Sequence, residues 1–413
     1  MRVTTLFNRL LRLDGVRVLA VALEGELGRE RVVVEVERPA RRRLCCPRCG
    51  FTTRASYDRS LRTLRHLDLF RAPCFLRLEV RRLECPSCGV VSEELPFARA
   101  GSRFTRAFED TCVWLCRDAP KTVVSRLMQI DWETVGRMVE RVVQEASAGG
   151  ADWLAGLRRI GIDEVSYRKG RRYLLCVVCH DTGRIVWARP GQSRAVLHAF
   201  FDELGVERCK EIEAVSADLH PAWAEVIRER CPQALPCADP FHVIRQAATA
   251  LETLRRQEWQ RLRKEDTERA VWLKGTRFLL RRRADSLSER ERTLVEELAE
   301  TNERIYRGWL LVDQLRAVYQ AANAEEATLL LDEWLRAARA SVLVPFLRLA
   351  RTLSQHREAI VNAIRLRLSN ARLEAMNSTV RLISHRSRGF RRLESLLAMI
   401  RLVCGRVPVT LPT

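Results

Sequence analysis

Three short acidic stretches, set far apart in the chain, could together hold divalent cations: Gly161-Ile162-Asp163-Glu164-Val165, Ser216-Ala217-Asp218-Leu219-His220 and Asn370-Ala371-Arg372-Leu373-Glu374-Ala375-Met376-Asn377. The candidate ligands are Asp163, Asp218 and Glu374. Mg²⁺ or Mn²⁺ takes oxygen ligands, and two such ions about 3.5–4 Å apart can clamp the attacking and leaving oxygens of a phosphodiester. Asp163 and Asp218 each end or interrupt an apolar strand, over residues 159–165 and 212–217, where a charge without a cation or partner would be costly. Glu374 lies on a helix. There Leu373, Met376, Val380 and Ile383 recur as a core stripe, which puts Asn370, Glu374, Asn377 and Arg381 on the opposite face. Glu164 is the poorer ligand candidate, because neighbours along a strand point to opposite faces and only one of the pair can face the site.

A second cluster has metal-ligand spacing. Cys46-Pro47-Arg48-Cys49-Gly50 and Cys85-Pro86-Ser87-Cys88-Gly89 are two knuckles whose four thiolates suit a tetrahedral structural Zn²⁺. Residues 75–83 alternate like a strand leading into the second knuckle. Cys45 competes with Cys46, but the Cys-Pro-x-Cys symmetry favours Cys46. Cys176 and Cys179 fall on a strand and Cys112 and Cys116 on a helix without a second pair, so both pairs are expected in the core.

These residues need a large scaffold. At 413 residues the chain has room for two or three domains, and 47% apolar residues indicate globular packing. A formal charge of +20, from 72 basic and 52 acidic residues, favours a polyanionic partner, nucleic acid above all. The sequence contains no apolar run long enough to cross a membrane and no apolar signal core, so a cytoplasmic protein with reduced thiols is expected, nucleoid-associated when bound to DNA.

The pattern along the chain predicts the elements. A zinc-ribbon region covers 1–100. Over 101–148 come three short helices, 104–116, 121–128 and 132–143, the last with Asp131 as N-cap and a tight turn before it, as in a helix-turn-helix. Its exposed face would offer Glu133, Arg137 and Arg141, the two arginines as DNA contacts. Strands at 159–165, 172–179 and 184–189, a helix at 193–204, a strand at 212–217, a helix opened by Pro221 and a strand at 234–238 follow the order of a ribonuclease-H-like core, spanning 151–240. Residues 241–365 read as a helical insertion, and 366–413 as the return to the core with the helix of Glu374. The fold class is therefore multidomain α/β. Near that helix, Arg381, Arg386, Arg388, Arg391 and Arg392 would hold phosphates rather than read bases.

The order of these parts resembles bacterial insertion-sequence transposases of the DDE superfamily, in the subgroup with an N-terminal zinc ribbon. The resemblance rests on Cys-Pro-x-Cys-Gly at 46–50, Gly161-Ile162-Asp163-Glu164, Ala217-Asp218, Ala238-Asp239-Pro240-Phe241-His242-Val243, and 369–377 running on to Arg386-Ser387-Arg388-Gly389-Phe390. It implies that Asp163, Asp218 and Glu374 bind the catalytic Mg²⁺ or Mn²⁺. It also implies that the protein binds the inverted-repeat ends of its element as double-stranded DNA, acts as a homo-oligomer on DNA, and cuts and joins the ends to target DNA. Family members often carry Gly where Ala371 and Ala375 stand and Lys in place of Arg381 and Arg386, departures that leave the triad intact. Two alternatives remain at this point: a DNA-binding regulator without catalysis, which would leave the three acidic contexts unexplained, and a ribonuclease-H-type structure-specific nuclease.

Overall fold

The computed structural model describes residues 1–39, 41–149, 152–168, 170, 172–368, 371–387 and 390–411, leaving aside the side chains of 371 and 372. The chain forms two compact units. Unit 1 comprises Met1–Gly150 with Arg391–Val403 and Val407–Thr413; unit 2 comprises Ala151–Phe390 with Cys404–Arg406.

In unit 1 a helix α1 (Val3–Leu11) precedes strands β1 (Arg17–Glu24) and β2 (Arg31–Glu37), the two-residue strands β3 (Leu44–Cys45) and β4 (Thr52–Thr53), the long strands β5 (Asp58–Leu69) and β6 (Ala72–Cys85), and β7 (Gly89–Ser92). The sheet order is β1-β2-β6-β5, with β7 paired to β6. The expected strand at 75–83 is the middle of β6. The sequence reading assigned neither β1 and β2 nor β5, so the cysteine knuckles are mounted on a larger sheet than the ribbon alone would need. Val34, Leu64, Leu76, Leu78 and Val80 line its core.

Helices α2 (Arg106–Leu115), α3 (Lys121–Leu127) and α4 (Trp132–Ala148) follow. Thr105 caps α2, and Asp131 caps α4 by accepting from the Glu133 N–H at 2.7 Å. Phe108, Cys112, Val113, Val124, Val135, Met138 and Val139 are buried at helical spacing. The third helix runs five residues past its expected end, through Ser147 and Ala148.

Unit 2 opens with β8 (Arg159–Arg168), β9 (Arg172–Cys179) and β10 (Arg184–Pro190), then α5 (Arg194–Leu204), α6 (Val206–Lys210), β11 (Ala214–Ala217), α7 (Pro221–Arg230) and β12 (Leu235–Ala238). The sheet order is β10-β9-β8-β11-β12. The first three strands are antiparallel neighbours, while β11 runs parallel to β8 and to β12. This is the ribonuclease-H-like order that the pattern predicts. One face of the sheet, with Ile160, Ile162, Val177 and Val215, packs on α5 and α7 through Leu197, Phe200, Phe201 and Val226.

The insertion is helical, as expected, and starts at Pro240: α8 (Pro240–Glu265), α9 (Thr267–Gly275), α10 (Glu289–Thr301), α11 (Glu303–Val318), α12 (Ala324–Ala340), α13 (Val344–Gln355) and α14 (Arg357–Arg365). They share a core around Leu254, Val312, Leu315, Trp334 and Phe346. α15 (Ala371–Arg386) then lies against β8. The last helix, α16 (Leu393–Val403), departs from the expected plan. It belongs to unit 1, where it packs on α4, rather than to the ribonuclease-H-like core.

Candidate active site

The face of β8 opposite Ile160 and Ile162 carries Gly161 and Asp163, two residues apart and therefore on one side. Two residues of α15 meet them. A Cβ at Gly161 would stand 2.6 Å from Leu373 Cδ1, 2.9 Å from His180 Nε2 and 3.0 Å from Ser216 Oγ, so a larger residue would force these side chains to shift. Asn377 Nδ2 donates to Asp163 Oδ2 at 2.5 Å. Four residues of helix rise about 6 Å and two of strand about 6.6 Å, so the two contacts share a register.

Leu373, Val380 and Ile383 are buried as expected, and Glu374 and Arg381 are exposed. Asn377 is not on the outer face expected of it. It is buried at 7% exposure, because it stands four residues after Leu373 and three before Val380 and so borders the core stripe, where its amide meets the half-buried Asp163 carboxylate. Asn370 and Arg388 lie outside the described residues.

Asp163 is in mid-strand, and its Oδ1 accepts the Glu164 N–H at 2.7 Å. Asp218 is the first residue beyond β11, with Oδ1 accepting the Leu219 N–H at 2.7 Å. From the neighbouring strand β12, Asp239 caps α8 by accepting from Phe241 N at 2.9 Å and is itself buried at 3% exposure. His242 Nδ1 stands 3.0 Å from Asp239 Oδ2 and 3.8 Å from Asp218 Oδ1. Neither approach is aligned as a hydrogen bond, so that buried nitrogen is left unsatisfied.

The electrostatics link these groups. Burial first, then Asp239, raise the Asp163 carboxyl above the usual range, against the pull of the Glu164 N–H, Asn377 and His242. Glu374 is raised by burial, Asp239 and Asp163, and eased by His242. Burial alone would lower the His242 imidazole, but Asp239, Asp218 and Asp163 outweigh it and leave it raised. Glu164 is raised by burial and by the charges of Asp163 and Asp218. Thus Glu164, although on the other sheet face, still feels the site, since it stands close to where β11 ends. The sequence reading missed the part that Asn377 plays; Asp239 and His242 were visible as a pair, but their place beside Asp218 depends on the parallel pairing of β11 and β12.

In unit 1, Cys46, Cys49, Cys85 and Cys88 bring their sulfurs within 4.8 Å of one another, with Cys49 and Cys85 at 3.4 Å. Tetrahedral Zn²⁺ with bonds of about 2.3 Å needs sulfurs roughly 3.8 Å apart, so the quartet fits. Cys45 is not part of it. Burial opposes ionisation of Cys46, but the N–H groups of Arg48 and Cys49 carry its thiol down to about 7. Among the described residues this is the one group of three or more possible ligands drawn so close; Asp163, Asp218 and Glu374 do not form such a group.

A family model described as a transposase matches residues 160–400, the span that contains the sheet, the insertion and α15. The chain belongs to the ISL3 transposase family. Two further models cover the front of this transposase: the helix-turn-helix domain of transposase family ISL3 at 93–143, and the zinc-finger of the IS204/IS1001/IS1096/IS1165 transposases at 42–88. The transposase for insertion sequence element IS1557 of Mycobacterium tuberculosis is 40% identical over 390 residues, covering 89% of this chain and 87% of that protein. The transposase for insertion sequence element IS1001 of Bordetella parapertussis is 26% identical over 366 residues, or 88% and 89% of the two chains. The transposase is thus a DNA-cleaving and DNA-transferring enzyme with a zinc ribbon and a DNA-binding helix-turn-helix. No helix among its described residues is long and apolar enough to cross a membrane.

The arginines assigned to DNA divide. Arg137 is exposed on α4, 3.7 Å from Glu133. Arg141 is not free on that face. It donates to Glu109, whose side chain is fully buried, at 2.5 Å, and Arg99 and Ser102 hold the same carboxylate. A buried charge this far from water recruits every donor in reach. Arg381 and Arg386 are exposed on α15. Arg391 and Arg392 have partners within the protein. Arg391 pairs with Glu133 at 3.1 Å and covers the Trp132 ring, and Arg392 pairs with Glu140 at 3.3 Å, so in this structure they fasten the end of the chain to α4 in unit 1.

Proposed function

We propose that this transposase cuts and joins DNA at a site formed by Asp163, Asp218 and Glu374, acting as a homo-oligomer on the inverted-repeat ends of its element. The observation that carries the reading is the convergence on His242. Asp218 lies 3.8 Å from its ring, and the charges of Asp163 and Glu374 are both felt there. Burial and Asp239 raise the proton affinity of Asp163 and of Glu374, Asp163 adds to the effect on Glu374, and a cation would relieve that cost. The donors are carboxylate oxygens, which fit Mg²⁺ or Mn²⁺ and do not favour a soft metal. When bound, a pair of such ions would activate the attacking oxygen and stabilise the leaving one.

The chain's own residues prepare that geometry. Asn377 fixes one oxygen of Asp163 and the Glu164 N–H the other, so the carboxylate is held before any ligand arrives. Asp239 caps α8 and keeps His242 beside Asp218. Arg381 and Arg386, on the exposed side of α15, are placed to hold phosphates near Glu374, and Arg137 to contact the element ends.

On DNA carrying both element ends, Asp163→Asn, Asp218→Asn and Glu374→Gln should each reduce cleavage and joining to background with Mg²⁺ or Mn²⁺, while end binding is unchanged. Glu164→Gln, on the other sheet face, should be milder. Normal joining by any of the three variants would remove that residue from the site.

A further inference from the structure

The helical insertion carries a basic groove that the carboxylate site does not use. It runs along α8 from Arg245 to Arg256, beginning one helical turn beyond Phe241 and His242. Phe241, Arg245, Thr249, Glu252 and Arg256 follow at spacings of three or four residues and share one face. Arg277 and Arg281, from the segment after α9, form the opposite wall, and the groove has a volume of about 380 Å³. Among the described residues no carboxylate pairs with Arg245, Arg277 or Arg281. The acid in the groove, Glu252, is held down to about 2 by Arg255 and then Arg256, so its charge is already compensated from within α8.

Two aromatic rings accompany the arginines. Phe241 is 47% exposed and Phe278 is 72% exposed. Each lies beside an arginine, Arg245 at 5.7 Å and Arg281 at 5.9 Å from the ring centroids. A ring next to a guanidinium is a platform on which an unpaired base stacks, such as one freed at the end of a duplex. From Phe241 to Arg256 the helix rises about 22 Å, which matches six or seven base steps of about 3.4 Å.

We infer that this groove binds the phosphate backbone of duplex DNA over the stretch leading away from the bond that is cut, with Phe241 against the base nearest that bond. The inference rests on the proposed role of the carboxylates for its direction only. Arg245, Arg277 and Arg281 each neutralise a phosphate and read no sequence. Phe241 directly precedes His242 and so stands at the catalytic end of α8, one turn before the groove.

The test uses the full chain carrying Asp163→Asn, with two duplexes of equal length, one with the element's terminal repeat and one unrelated. Adding Arg245→Ala, Arg277→Ala and Arg281→Ala together should weaken binding to both duplexes by a similar factor, and the slope of log affinity against log salt should fall by about three, close to one per phosphate contact. Arg277→Glu alone, at an exposed position, repeats the test in a protein with a single surface change. An unchanged slope would overturn the inference, whether the groove is empty or holds a protein partner, and so would a loss confined to the terminal repeat. With 2-aminopurine beside the cut position, binding should change its fluorescence, and Phe241→Ala should abolish that change; a signal that survives the substitution removes Phe241 from the contact. Should the Asp163→Asn protein still cut DNA, the carboxylate reading fails while the salt slopes still decide the groove.

Discussion

Arg137 and Arg141 are one helical turn apart, and from sequence alone they are the same kind of residue. Their surroundings separate them. Arg137 extends into solvent, whereas Arg141 shares the fully buried Glu109 with Arg99. Leaving a buried carboxylate short of a partner is far costlier than losing an exposed ion pair. Arg141→Ala should therefore destabilise unit 1 by about 1–3 kcal/mol, with Arg99 and Ser102 limiting the loss. Arg137→Ala should leave the melting curve unchanged and weaken only DNA binding. Equal melting of the two variants would show that Glu109 does not depend on Arg141. The same limit on sequence reading applies to Asn377. Spacing within α15 leaves it at the edge of the core stripe, four residues after Leu373 and three before Val380, and its hydrogen bond to Asp163, 214 positions earlier, could not be read from the helix alone. The cysteine quartet was legible for the opposite reason, because each knuckle is a local turn whose chemistry is written in five consecutive residues.

For the elements, the join between β8 and α15 sets the helix of Glu374 against the strand of Asp163. Gly161 makes that join. Any side chain there meets Leu373, His180 and Ser216 at or below 3.0 Å, and His180 and Ser216 already hold each other at 2.7 Å, so the strand side has little room to yield. Gly161→Ala should cost about 1–3 kcal/mol through overpacking and reduce cleavage strongly, while end binding by unit 1 persists. Cleavage at the normal level would mean that α15 can shift without disturbing the site. The elements of unit 2 were readable because their strands are apolar runs broken by Pro, Gly and acidic turns, and their helices are long and periodic. In unit 1 the apolar run Val32–Val34 of β2 and the alternation of arginines with leucines in β5 and β6 carry strand signals, but β5 and β6 pair over many residues that no local pattern connects. Their pairing is a tertiary fact.

At the scale of the whole molecule, the chain crosses between its two units more than once, and the crossing that follows Phe390 has a functional consequence. α15 belongs to unit 2, yet the residues that follow return to unit 1, where α16 packs on α4. α16 buries Leu396, Met399, Ile400 and Leu402, and Arg391, Arg392 and Ser395 reach Glu133 and Glu140. α4 is the last helix of the helix-turn-helix, so that domain is completed by residues about 250 positions later in the chain. The exposed ion pairs contribute little by themselves, on the order of 1 kcal/mol or less each, and the apolar residues contribute most of the docking. Ile400→Asp would place a charge where the side chain is fully buried. It should loosen α16 from α4 and weaken binding to the element ends, although it lies in neither the ribbon nor the helix-turn-helix. Glu140→Gln should do so only slightly, and less at high salt. Ile400→Asp is expected to lower the melting temperature of unit 1 in parallel with the loss of end binding. End binding at full strength, with unit 1 melting as before, would show that α4 is complete without the end of the chain.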